Sequence, residues 1–254
     1  MAGPADSVIR GFGGRGNLPP LRLRRHTGPL DSYESSVADM LRMVDQLGLV
    51  ERGDRVLDIG CGPGSMVEGL LERIDREGSY VGFDVHRPSI EWCQRRYRAD
   101  PRCRFEVARL ASPYATARGG PAVESYSFPI DDGECGFVLA KSVFTHLEPG
   151  EARRYLTEIR RALRPGRAAI VTTFLFEPGS RTATGHSQVF RRADAAGRLR
   201  RRSRLAPQAA VAYEKSYFYE LVEQAGLRVQ WLSAGFFPGE SDRLTGQDVL
   251  LLGH

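Results

Sequence analysis

Apolar positions along the chain recur in two alternating rhythms. Val37, Met40, Leu41, Val44 and Leu47 fall three and four residues apart, with Gly48 as a stop, which predicts a helix over about 31–48. RVLDIG (55–60) is a short, nearly continuous apolar run and reads as a buried strand. SMVEGLLERID (65–75) returns to helical spacing, and SYVGFD (79–84) is a second strand. PSIEWCQRRYR is a helix with Pro88 suited to its first turn. CRFEVA and GFVLAKSVF give a third and fourth strand, GEARRYLTEIRRALRPG an amphipathic helix closed by Pro165-Gly166, and AAIVTTFLF a fifth strand. A last helix, EKSYFYELVEQAG, precedes two strands near RVQWLSAGF and QDVLLLG.

Strand–helix alternation predicts an α/β fold, a doubly wound and mostly parallel sheet with helices on both faces. The final two strands, joined without a helix, fit an antiparallel edge. No internal repeat is visible. Residues 1–30 read as an N-terminal arm, 31–254 as one domain, and 178–210 as an arginine-rich insertion or lid after the fifth strand.

At 254 residues the chain is long enough for such a domain with a full core. No run approaches the ~18 apolar residues of a membrane span, and the N-terminus has no apolar block of the kind a secretory signal needs. A cytoplasmic protein without membrane contact is expected. Cys61, Cys93, Cys103 and Cys135 lack metal-site spacing and read as reduced thiols; no metal is expected. Asp131 and Asp132 are expected in a turn, a common place for surface acids.

The net charge of +5 raises the question of nucleic acid, but the charge is local. Residues 191–204 hold seven arginines and one aspartate, and residues 10–25 five arginines and no acid, which leaves the rest of the chain mildly acidic. Only Lys141 and Lys215 are lysines, and the basic stretches lack interleaved aromatics for base stacking. Nucleic acid is therefore the less favoured partner. The arginines are expected as solvated surface, or else as arms that attract an anionic or polyhydroxylated acceptor.

The densest chemistry lies in VLDIGCGPGS (56–65). Glycines between a strand and a helix usually present backbone N–H groups to a phosphate. Here Asp58 stands two residues before Gly60, where it would repel one. The dinucleotide fingerprint G-x-G-x-x-G requires no such acid. Asp84 closes the second strand, placed to accept both hydroxyls of a ribose. A ligand with a ribose, no phosphate and a cationic end satisfies both acids, and S-adenosylmethionine has that chemistry.

VLDIGCGPGS with VGFDV resembles the first two motifs of the class I S-adenosylmethionine-dependent methyltransferases. SFPIDDGECGFVLAKSVFTHLEP and EIRRALRPGRAAIVTTF resemble the later part of that family, so the likeness runs over about residues 50–175. IEWC and SVFTHL are similar to a narrower, small-molecule-modifying bacterial branch. The resemblance implies a Rossmann-like seven-stranded sheet, with S-adenosylmethionine converted to S-adenosylhomocysteine. It puts Asp58, Gly60 and Gly62 toward the methionine end, Asp84 on the ribose and Val85 at the adenine, with Cys61, Leu110 and Lys141 as further cofactor-binding residues. Two departures stand out. Arg109 aligns where many relatives carry an acid for the adenine amine, so a neighbour such as Ser112 or the backbone must serve. Pro165-Gly166-Arg167 replaces Pro-Gly-Gly, a change expected to matter only to the turn.

His146, just past the fourth strand, is the candidate general base, because histidine titrates near neutral pH. Phe144, Tyr213 and Glu214 are the acceptor-side candidates, with Tyr217 beside them; a cap with core aromatics is the plainer reading of the last three. His26 and His186 read as solvent-facing. The Asn/Asp-Pro-Pro-aromatic turn of base- and amide-methylating relatives is absent from LAKSVF. The leading expectation is methyl transfer to a hydroxyl or amine of a small molecule such as a sugar-like or specialised metabolite. An RNA methyltransferase and a non-catalytic cofactor-binding protein are the alternatives. Oligomeric state is open.

Overall fold

The computed structural model describes residues 18–24, 33–115, 119–178, 190, 192–203, 205–235 and 246–254. His26, His186, most of the N-terminal arm and part of the expected insertion lie outside these residues. After a helical turn at Leu21–Arg24, helix α1 spans Tyr33–Gln46. It stops at Gly48, whose φ of 59° is a left-handed cap, with the Leu49 N–H donating back to the Val44 carbonyl at 3.1 Å.

β1 (Arg55–Ile59), α2 (Val67–Leu71), β2 (Ser79–Asp84), α3 (Arg87–Arg96), β3 (Cys103–Val107) and β4 (Cys135–Ala140) follow in the expected alternation. α4 (Pro149–Ala162), β5 (Leu163–Phe176), α5 (Lys215–Gln224), β9 (Arg228–Ser233) and β10 (Asp248–Gly253) complete it, with β6–β8 between β5 and α5. α2 is shorter than its periodicity suggests, with Gly69 inside it. That glycine lets α2 lie against α1: a Cβ there would sit 2.2 Å from a Leu41 methyl.

Strands β3-β2-β1-β4-β5 are parallel, and β10 then pairs antiparallel with both β5 and β9. These seven form the expected sheet, with β10 inserted between β5 and the edge strand β9. Alternate strand residues feed two cores, as strands covered on both faces require. Val56, Phe137, Leu139 and Ile170 pack with Met40, Val67 and Ile90 from α1–α3. Leu57, Val81, Val138 and Val171 pack with Leu156, Ile159, Phe218 and Leu221 from α4 and α5.

The segment after β5 departs from a simple excursion. β6 (Arg192–Ala193), β7 (Leu199–Arg201) and β8 (Val211–Glu214) pair in sequence, and β8 joins the far end of β5 in parallel through Phe174↔Ala212. Its arginines are partly consumed internally. Arg201 pairs with Glu148 at 2.5 Å, Arg200 stacks 4.0 Å from the Phe176 ring, and Arg198 lies over Tyr217. The last helix starts at Lys215, because Val211–Glu214 is strand.

Arg167 also does more than shape a turn. Its guanidinium donates to the Gly136 and Leu49 carbonyls and pairs with Glu51 and buried Asp54, tying the chain before β1 to β4 and β5. Among the described residues no helix is long and apolar enough to cross a membrane.

Candidate active site

The carboxyl ends of β1, β2, β3 and β4 open onto one cavity of about 680 Å³, the usual ligand position on a doubly wound sheet. Two halves meet in it. The first is the glycine turn. Gly60, Gly62 and Gly64 have φ of 66°, 53° and 82°, which only glycine adopts without strain. Gly60 also lies so close to Val143 that a Cβ would come within 2.5 Å of its methyl. The Gly60 and Cys61 N–H groups donate to the Phe83 carbonyl at 2.9 and 3.1 Å, so the turn is fastened to the end of β2.

Asp84 accepts from the Gly62 N–H at 2.8 Å on one oxygen and from the His86 N–H at 2.7 Å on the other. Each oxygen keeps a lone pair for a further donor, as a ribose diol requires. Burial pushes the Asp84 carboxyl up, against those two hydrogen bonds. Asp58 is fully enclosed and accepts from the Tyr80 hydroxyl at 2.5 Å. Burial pushes it up to about 7, while the Tyr80 hydrogen bond and the Lys141 charge pull the other way. Burial lowers Lys141, whose ammonium also donates to the Ser36 hydroxyl at 3.2 Å. This half suits a ligand carrying its own positive charge, which would replace the solvent Asp58 has lost.

The second half gathers around His146. The His146 Nδ1 lies 2.9 Å from the Gln208 carbonyl oxygen and 3.0 Å from the Tyr114 hydroxyl; the carbonyl can only accept, which assigns the proton to Nδ1. The Nε2 is then the basic nitrogen. Tyr114 covers the ring at 4.9 Å between centroids, with its hydroxyl 3.4 Å from the same carbonyl. Burial lowers the His146 pKa against the main-chain bonds to Gln208 and Ala209, which favours the neutral ring. Glu151, 7% exposed, accepts from the Glu148 N–H at 2.7 Å and from the Gln208 amide at 3.0 Å, and burial raises its pKa.

Asp58, Gly60, Cys61, Gly62, Asp84, Val85, Leu110, Lys141 and His146 all line the cavity, as does Ser112, whereas Arg109 is exposed and outside it. The acceptor-side expectations need correction. Phe144 is fully buried among Tyr155 and Phe218, and Tyr213 is fully buried with its hydroxyl on the Leu147 carbonyl at 2.5 Å. Glu214 ends β8 and accepts from the Ser216 hydroxyl at 2.7 Å. None of the three lines the cavity. Tyr114, Glu151 and Gln208 stand there instead. Only Glu151 had a sequence signal, as the last residue of the capping box E-P-G-E (148–151). Cys61 lines the wall as a buried thiol raised well above its ordinary pKa, which makes it unreactive.

Residues 56–166 match a family model described as a methyltransferase domain. An uncharacterised 37.1 kDa protein in transposon TN4556 of Streptomyces fradiae is 26% identical over 53% of this chain and 39% of its own length. A phthiotriol/phenolphthiotriol dimycocerosates methyltransferase of Mycobacterium ulcerans is 33% identical over 45% and 35%, and an mRNA cap guanine-N(7) methyltransferase of Arabidopsis thaliana 32% identical over 47% and 32%. The chain thus spans well under half the length of these curated relatives. Among solved structures, the 1,6-didemethyltoxoflavin-N1-methyltransferase of Burkholderia thailandensis, with S-adenosylhomocysteine bound, superposes with a TM-score of 0.58. The alignment covers 99% of this chain and 89% of that one at 17% identity, a likeness of fold. The glycine turn, the acid at the end of β2 and the matched segment agree: residues 56–166 match a methyltransferase domain, on a fold like that of the Rossmann-like methyltransferases, and the cavity fits their cofactor, S-adenosylmethionine.

Proposed function

We propose that this protein methylates a hydroxyl of a compact small molecule, with His146 as the general base. The observation that carries the reading is the continuity of the cavity from Asp84 and Gly62 to His146, whose tautomer is fixed by Gln208. S-adenosylmethionine supplies an electrophilic methyl on a sulfonium. The chain's residues do the rest. Asp84 holds the ribose, and Asp58 offers its carboxylate to the cationic end. Val85, Leu110 and Ser112 form the wall for the adenine. Gln208 orients the imidazole and Tyr114 packs over it, so that Nε2 takes the proton of the attacking hydroxyl. Alignment of this kind is worth ~7–11 kcal/mol.

A small acceptor is favoured over RNA because Tyr114 and Gln208 close together over one edge of His146, and because Arg198, Arg200 and Arg201 of the insertion are drawn into contacts within the protein. Those arginines are structural in this reading, and the segment contributes Gln208 to the wall of the acceptor end. The four free cysteines fit a cytoplasmic setting.

The test begins with methyl-labelled S-adenosylmethionine and fractions of a source-cell extract. Label in the small-molecule fraction is expected, and label in RNA would overturn the reading. With that acceptor, His146→Ala should lower kcat by ~10²–10⁴-fold while S-adenosylhomocysteine binds unchanged. Wild-type turnover would remove His146 from the chemistry.

A further inference from the structure

Glu151 is a carboxylate buried on the cavity wall with no cation partner among the described residues. It has only two donors, the Glu148 N–H and the Gln208 amide, for about four lone-pair sites. Arg201, the basic side chain on the adjoining strand, is taken by Glu148, and Arg202 stands exposed near the Tyr114 phenol without lining the cavity. Lys141 serves the Asp58 end. An acceptor entering here therefore meets a carboxylate, a neutral imidazole and the apolar or aromatic walls of Leu147, Val123 and Tyr155. A buried carboxylate without a counter-ion gains from every further donor and repels an anion.

The second observation is Gln208, which holds both groups at once. Its main-chain carbonyl accepts from His146, and its side-chain amide donates to Glu151. The proton-accepting nitrogen and the carboxylate are thus fixed to one residue, on one stretch of wall, within reach of a single small molecule.

We propose that the acceptor is an uncharged or cationic compact ring bearing two adjacent hydrogen-bond donors, in its simplest form a vicinal diol, and that Glu151 is the residue that selects it. This rests on the proposed methyl transfer and names its substrate class. One hydroxyl loses its proton to His146 Nε2 as its oxygen forms the bond to the methyl carbon. The carbon–sulfur bond breaks with its electron pair going to sulfur, giving a neutral thioether. The neighbouring hydroxyl, or an ammonium in its place, keeps its proton and donates to Glu151. No described arginine of the segment lines the cavity, so anionic acceptors are disfavoured.

Calorimetry on the protein loaded with S-adenosylhomocysteine tests this with catechol, phenol and benzoate as probes. Catechol should bind ~10-fold or more tightly than phenol, the worth of one hydrogen bond to a charged group, and benzoate more weakly than phenol. Glu151→Gln keeps the carbonyl that the capping box needs. It should bring catechol and phenol to within about threefold of each other with S-adenosylhomocysteine affinity unchanged. Equal binding of phenol and catechol, benzoate as tight as catechol, an unchanged ratio in the Glu151→Gln protein, or no catechol binding at millimolar concentrations would each overturn the inference. A wild-type protein that binds no S-adenosylhomocysteine would overturn the proposed function itself and this inference with it; intact cofactor binding confines any failure to the acceptor class.

Discussion

The two halves of the cavity are built in opposite ways. The cofactor half comes from residues close in sequence, two strand ends and the turn between them, and its key bonds run from backbone N–H groups to Asp84. The proposed acceptor half joins Tyr114, His146, Glu151 and Gln208, from three well-separated stretches of chain, and its key bonds run between side chains and loops. The first tolerates almost no change in backbone shape. The second depends on how an added strand layer is seated on β5, and can be altered by moving that layer without touching the cofactor.

The sharpest way to break this comparison is to remove the centre of the cofactor half. Asp84→Ala deletes the carboxylate that fastens Gly62 and His86 and leaves ribose hydroxyls without an acceptor. Two hydrogen bonds to a charged group at ~1.5–3 kcal/mol each predict a loss of at least ~100-fold in S-adenosylhomocysteine affinity. Calorimetry measures it. An effect below tenfold would mean that the cofactor is held elsewhere and that the two halves are misassigned.

A second contrast is in pH. Burial raises Asp58 to about 7, so its negative charge is complete only above neutrality. A cationic cofactor end attracts the ionised form, so S-adenosylhomocysteine, which keeps its α-ammonium, should bind more tightly as pH rises toward about 7 and level off above it, by ~10-fold for a partly screened charge pair. Burial lowers His146, and its active form is the neutral one. The kcat at saturating cofactor and acceptor should therefore rise through a point below the ordinary 6.5 and already be level where binding is still improving. Affinity and kcat profiles that coincide would show one titrating group instead of two.

The same contrast explains what the sequence could disclose. Asp58, Gly60, Gly62 and Asp84 were legible because their roles are local: a strand must end, a turn must take positive φ, and an acid must follow a second strand. The sheet was legible for the same reason, since strands buried on both faces read as apolar runs. Tyr114 and Gln208 carry no such mark. They matter only because β6–β8 add to the end of β5 and bring residue 208 over residue 146. Tyr213 and Phe144 misled because large aromatics near an expected site look like a binding wall. Here the same rings fill the core beneath α5. Arg167 reads as no more than a turn residue because Asp54, its buried partner, lies 113 residues away.

The smallest expected effect is the most discriminating for the acceptor half. Gln208→Ala retains the main-chain carbonyl that holds His146 but deletes the amide on Glu151. If the amide's work is to hold Glu151 for a donor on the acceptor, KM for the acceptor should rise by roughly tenfold, the cost of one hydrogen bond to a charged group. The kcat should change little, because the imidazole keeps its tautomer, and S-adenosylhomocysteine affinity should not move. A fall in kcat of the size expected for His146→Ala would instead mean that the amide positions the base. Glu151 would then belong to catalysis, and the division of the cavity would run between Glu151 and the apolar wall instead of between cofactor and acceptor.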